Sequence, residues 1–170
     1  STHCERIILS RLIDLINDIP DRLTLAEDDE EDWTSINDIQ NAFHLLLLMT
    51  SEKRYFCTSV GGAYQLYHAM LLGPEAAPSA WGRFGALISR INQAIIGTTH
   101  ARLQLYVDDP AVAIRGNQQG RSKIVRTSVV LWSLLNIVLA WSKAQFGQDV
   151  HWIGAAMVTQ PKDVTVTILQ

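Results

Sequence analysis

Apolar positions recur along this chain at two periods, and their order sets out most of an architecture. Ile8, Leu12, Leu15, Ile16 and Ile19 stand at helical spacing, so Cys4 to Ile19 is predicted as an amphipathic helix stopped by Pro20. Thr34 opens a short strand leading to Asp38. Lys53 to Val60 and Ala63 to Met70 are β-prone runs joined at Gly61-Gly62, the signal of a tight hairpin. Pro78 opens a helix with Trp81, Phe84, Leu87, Ile88, Ile91 and Ile95 on one stripe, ended by Gly97. Leu103, Leu105 and Val107 then alternate with Arg102, Gln104 and Tyr106, and Ala111 to Ile114 resume a β-type run. A second hairpin is therefore expected, its turn on Asp108 and Asp109, with Pro110 pushing Asp109 towards extended geometry. Ser122 to Ile137 reads as a second long helix, apolar over a width that suits burial against a sheet. Val150 to Met157 and Val164 to Leu169 close the chain as strands.

Taken from Asp38, with the Lys53–Met70 hairpin set aside, the order is strand, helix, strand, tight turn, strand, helix, strand. That is the split βαβ, or ferredoxin-like, pattern. The expected fold class is α+β: one antiparallel sheet with two packed helices, an N-terminal helix and an inserted β-hairpin. In this topology the first strand neighbours the central hairpin, so Asp38 and Asp108 meet although they are far apart in sequence.

Composition bounds the picture. With 170 residues and 48% hydrophobic content the chain supports a proper core. Cys4 and Cys57 form no metal-spaced pair and suggest no disulfide framework, which fits an intracellular, reducing compartment, cytoplasm or nucleus. Val129 to Trp141 is too short to span a bilayer and the N-terminus lacks a signal-peptide pattern, so no membrane association is expected. The formal charge of −3 is uneven: residues 1–32 hold ten acids against three arginines, leaving +4 on the remainder. The run Glu27 to Asp32 reads as a solvated linker, dividing an N-terminal helix and acidic linker (1–32) from the main domain (33–170). The basic remainder permits a phosphate-backbone partner at well below the charge density of a dedicated DNA-binding domain.

Three aspartates carry the candidate chemistry. Taken alone, Asp108-Asp109-Pro110 also suits a plain turn on a solvated loop. Carboxylates brought close together must either raise their pKa values or bind a cation, and hard oxygen donors favour Mg²⁺, with Mn²⁺ as a substitute. Two such ions form a clamp for in-line phosphoryl transfer.

The residues resemble the palm domain of a reverse transcriptase of the retrotransposon or retrovirus-like kind. Asp38-Ile39-Gln40-Asn41-Ala42-Phe43 is similar to that family's first catalytic motif, and Tyr106-Val107-Asp108-Asp109 to its aromatic-x-Asp-Asp motif. Leu72-Gly73 with Ala77-Pro78 falls where the family carries a glycine loop ending in a small residue and proline. Leu139 to Lys143 and Val150 to Gly154 resemble the lysine-containing segment and the strand after it. The resemblance implies an RNA-directed DNA polymerase palm with partial fingers. Asp38 and Asp108 would bridge the metals, Asp109 would assist, and the Ile39 carbonyl would be a further ligand. Asn41 would line the sugar pocket, Phe43 would be a steric gate or else a buried aromatic, and Gly73 would approach the nascent base pair or serve as a turn glycine. Lys143 would be a proton donor to pyrophosphate or else a solvated cation. The implied partners are an RNA or DNA template with primer and a dNTP.

The chain departs from the family at Leu72, Ala77 and Pro110, none of which removes a metal ligand. Upstream of Asp38 there is no lysine to grip a triphosphate, and the chain ends soon after the palm. Two expectations follow. One is a nucleotidyltransferase palm, either a fragment of a mobile-element polyprotein, with fingers, thumb and ribonuclease H outside this chain, or a compact derivative that receives fingers and thumb from elsewhere. The other is a domesticated, inactive reverse-transcriptase-like domain kept as a scaffold in a larger protein or ribonucleoprotein assembly.

Overall fold

The computed structural model describes residues 9–19, 30–160 and 163–169. They form two compact units, one of residues 41–84 and the other of the described residues up to 40 and from 85 onward.

In the larger unit, β1 (Glu31–Ile36), β4 (Ala101–Tyr106), β5 (Asp109–Gly116) and β6 (Gln145–Gly147) form an antiparallel sheet in the order β4-β5-β1-β6. This is the strand order of the expected split βαβ fold. Helix α3 (Gln118–Leu134) is capped by Asn117, whose side chain accepts a hydrogen bond from the Gly120 N–H at 2.9 Å. In the larger unit, buried Asn92 of helix α2 (Ala77–Ile96) and Ser128 of α3 exchange hydrogen bonds of 2.8 and 3.1 Å. β7 (Asp149–Trp152), β8 (Ala155–Gln160) and β9 (Asp163–Ile168) make a second antiparallel sheet.

Both faces of β5 are covered, which explains its unbroken apolar run. Ala111 and Ala113 join Leu15 and Ile19 beside the short helix α1 (Leu12–Asp18), together with Ile36, Val150, Trp152 and Met157, in one core. Val112 and Ile114 face the other way, against Ala101, Ile124 and Val125. Each large aliphatic side chain fully buried there contributes roughly 1.5–3 kcal/mol.

Several expected boundaries move. The predicted Cys4–Ile19 helix is seen as Leu12–Asp18, its first residues lying outside the described part. The Val150–Met157 run is two strands, because Ile153 and Gly154 take φ of 41° and 79° and turn the chain back. The last strand of the split βαβ is therefore β6. Along α3 the buried positions are Arg121, Ser128 and Trp132, while Val130 and Leu134 are exposed, so the burial stripe is not the apolar stripe.

The end of the acidic run is not a linker, and its last residue is not solvated, while Glu31 stays exposed; Glu27 to Asp29 lie outside the described part. Glu31 and Asp32 belong to β1, and Asp32, only 7% exposed, is the cross-strand partner of Arg115, with Nη2 donating to Oδ2 at 2.8 Å. Arg121 donates to the Gly116 carbonyl at 2.6 Å, pairs with Glu31 at 2.9 Å and lies 4.6 Å over the Trp33 ring. Two arginines supply the compensation that lets acids enter a strand.

In the smaller unit, Gly61 and Gly62, with φ of 59° and 79°, close the exposed hairpin of β2 (Cys57–Val60) and β3 (Ala63–Leu66). Positive φ at both central residues is the demand that two glycines meet. β2 starts later than expected because Lys53–Tyr55 winds into a 3-10 turn, and β3 ends at Leu66 rather than Met70.

Candidate functional site

The turn between β4 and β5 consists of Val107 and Asp108, with Tyr106 paired to Asp109. It falls one residue earlier than expected, since Asp109 already belongs to β5 in extended geometry ahead of Pro110. Val107 carries the positive φ, 52°, and a β-branched residue there is strained. Val107→Gly is expected to raise stability by about 0.5–1 kcal/mol, the relief of left-handed strain exceeding the added chain entropy, as read by urea unfolding. A lower stability would show that Val107 packing outweighs the strain.

β1 and β5 continue their pairing beyond β1 itself. The Asn37 N–H donates to the Pro110 carbonyl at 3.0 Å and the Ile39 N–H to the Asp108 carbonyl at 2.7 Å. Between these bonds Asp38 stands opposite Asp109, at a non-hydrogen-bonded position where antiparallel side chains lie closest. On its other side, the Ala140 N–H donates to the Asp38 carbonyl at 2.9 Å, and Ile39 bridges to Leu139. The chain then leaves the sheet edge as a 3-10 turn, Trp141–Lys143, before β6 resumes pairing with β1. That excursion brings Lys143 back over Asp38, Nζ donating to Oδ2 at 2.6 Å.

The electrostatics follow from this placement. Burial, then the charges of Asp108 and Asp38, push the Asp109 carboxyl up to about 6, with Lys143 opposing. The hydrogen bond from Lys143 to Asp38, aided by the Asp38 charge, raises the lysine further above its ordinary value, so it is a firmly held cation. Trp152, 2% exposed, donates from Nε1 to the Asp109 carbonyl at 3.1 Å and fixes the strand carrying that acid. Its positioning role was not legible in the sequence, where only its place in the Val150–Gly154 segment drew notice.

Asp38, Ile39, Asp108, Asp109 and Lys143 thus lie together in the larger unit. Asn41, Phe43 and Gly73 belong to the smaller one. Asn41 is left-handed, φ 54°, and its carbonyl accepts from the His44 N–H at 2.8 Å at the start of a 3-10 turn, Ala42–Leu45. Phe43 is half-buried, with its ring centroid 6.0 Å from that of Trp81. Gly73 has φ 131°, and a Cβ there would meet nothing within 4 Å, so its requirement for glycine is conformational.

The donor chemistry fits a divalent cation, because three carboxylates supply the hard oxygens that magnesium or manganese takes. The side chains themselves are set otherwise. Among the described residues no three of His, Cys, Asp and Glu are grouped to hold an ion, and Asp38 is engaged by an ammonium. Among the same residues no helix is long and apolar enough to cross a membrane.

No protein-family model and no curated protein matches the chain. Solved structures do. A foamy viral protease-reverse transcriptase in complex with an RNA/DNA hybrid aligns with a TM-score of 0.59 at 17% identity, over 74% of this chain and 16% of that one. The foamy viral protease-reverse transcriptase dRH in complex with double-stranded DNA aligns with a TM-score of 0.61 at 13% identity, over 74% and 21%. The chain spans about a fifth or less of the length of these structures, and the likeness gives it a reverse-transcriptase-like α+β fold.

Proposed function

We propose that this chain is the palm of an RNA-directed DNA polymerase of mobile-element origin, with a primed RNA or DNA template and a dNTP as partners. The observation that carries the reading is the convergence of Asp38, Asp108 and Asp109 at one end of the palm sheet, with Asp109 pushed up to about 6 partly by the other two charges. Asp38, Asp108 and Asp109, with the Ile39 carbonyl, would hold Mg²⁺ or Mn²⁺. When bound, such ions lower the pKa of an attacking hydroxyl and stabilise charge on the leaving pyrophosphate.

The chain's own residues do the rest. The cross-strand pairing of Asp38 and Asp109 concentrates negative charge against the strained Val107–Asp108 turn, and Trp152 holds the carbonyl side of Asp109 rigid. Lys143, held protonated, neutralises Asp38 and would pass to a phosphate oxygen once Asp38 is otherwise engaged. The bond between Lys143 and Asp38 favours a second reading, an inactive scaffold domain in which the ammonium has taken over charge balance.

Thermal unfolding with and without millimolar Mn²⁺, in the wild type and in Asp108→Asn, separates the two. The polymerase reading expects a manganese-dependent rise in the wild-type midpoint that is lost in the variant, since a ligand confined to the folded state stabilises it by mass action. An unchanged midpoint in both proteins would sink it and leave the scaffold.

A further inference from the structure

The outer stripes of α2 and α3 carry aliphatic side chains that no described residue covers. Leu87, Ile91 and Ile95 repeat every four residues along α2, and Val130 and Leu134 do so on α3; all five are between 38% and 77% exposed, whereas Ile88 beside them is buried. The hydrogen bonds between Asn92 and Ser128, and the packing of Ile96 and Ile124 on one core cluster, set the two helices side by side and antiparallel. Between them runs an open groove of about 320 Å³, lined by Ile95, Val130, Leu131 and Leu134 with Thr127 and Arg126. Five aliphatic side chains at such exposure come to about 500 Å² of apolar surface, the upper end of what a soluble monomer leaves open.

Charge says what kind of molecule suits the groove. Ala77–Ile96 and Gln118–Leu134 contain no aspartate or glutamate, and the cations Arg90, Lys123 and Arg126 are exposed on them. On α3 Lys123, Arg126, Val130 and Leu134 follow at i, i+3, i+7 and i+11, so basic and aliphatic groups share one face. Two copies of such a face would set like charges against each other. The groove lining holds no aromatic ring on which a base could stack, which disfavours a nucleic-acid strand. An interhelical groove that is aliphatic along its length and basic at its rim is complementary to a third helix with an apolar stripe and acidic flanks.

We propose that the α2–α3 groove docks an acidic amphipathic helix of a partner protein, its aliphatic residues against the exposed stripes and its carboxylates against Arg90, Lys123 and Arg126. This inference is independent of the polymerase reading, because the aspartates take no part in it.

The test is fluorescence polarisation of the whole chain with a labelled peptide of about 18 residues, long enough to form a helix, with leucine at i, i+4, i+7 and i+11 and glutamate on its flanks. A twin peptide carries lysine in place of every glutamate. The glutamate peptide should bind saturably, and the twin at least about tenfold more weakly. Leu134→Gln and Val130→Gln change exposed side chains, so both variants should unfold at about the wild-type midpoint. Each should weaken the glutamate peptide by about fivefold to tenfold, and Arg126→Glu should do the same while flattening the salt dependence. Equal binding of the two peptides, no saturable binding by the wild type, or an affinity indifferent to Leu134→Gln and Val130→Gln would each overturn the proposal. So would a wild-type dimer that Leu134→Gln dissociates in sedimentation, which makes a second copy the occupant, or cosedimentation with phosphatidylserine vesicles that Leu134→Gln abolishes, which makes it a lipid surface.

Discussion

Asp32→Ala is expected to destabilise the fold by about 3–5 kcal/mol, measured by urea unfolding at neutral pH. Asp32 and Arg115 are 7% and 4% exposed, directly opposite on the two central strands, and joined at 2.8 Å. Removing the acid leaves a guanidinium in the sheet that cannot reach water and already has an unpaired Nε. The loss therefore reflects a stranded charge rather than the worth of the pair. Replacing both residues, Asp32→Met with Arg115→Met, should recover most of the stability, because two apolar side chains of similar volume need no desolvation of charge. A single-variant loss below about 1 kcal/mol would mean that the guanidinium rearranges to solvent, against the burial seen.

Asp109→Asn is expected to stabilise the protein, and only in part of the pH range. An ordinary aspartate in the unfolded chain titrates near 3.8, whereas folding pushes Asp109 up to about 6. Below pH 4 both states hold the proton and the group is neutral with respect to folding. As pH rises from 4 to 6 the unfolded chain loses its proton first, so stability falls across that window and the full cost persists above it. Solvent screening of this partly exposed carboxyl reduces the cost to on the order of 1–2 kcal/mol. The variant should therefore be more stable than wild type by that amount at pH 7.5 and indistinguishable from it at pH 3.5. An advantage that stays constant across the range would show that the asparagine acts through packing or hydrogen bonding, and that the three carboxylates do not press on one another.

Much of the large-scale order was legible because it rests on periodicity and turn chemistry. The order of the helices and of the strands up to the second long helix, the Gly61-Gly62 hairpin and the existence of the β4–β5 hairpin, though not its turn residues, came from alternation and from residues with few conformational choices. Pro110 correctly implied extended geometry at Asp109. What escaped depends on partners distant in sequence. Glu31 and Asp32 read as linker because a row of acids repels, and nothing local reveals that Arg121 and Arg115 face them. The Val150–Met157 run hid a turn because Ile153 is a poor residue for positive φ. The candidate site was legible as residues, including the meeting of Asp38 with the hairpin, but not as a charge arrangement. That Asp38 stands directly across from Asp109, with Lys143 above it, follows from a register that only the paired strands reveal.

β1 and β5 are the two interior strands of the four-stranded sheet, each with a neighbour on both sides. Amide groups there can exchange with solvent only when two ladders open together, so these strands belong to the slowest-opening part of the larger unit. Asp38 and Asp109 sit at the ends of those two strands, and Asp108 in the turn beside them. Local fraying, which often tunes ligand sites on loops, is thus restricted at the two strand acids, and a ligand they take would meet carboxylates already ordered.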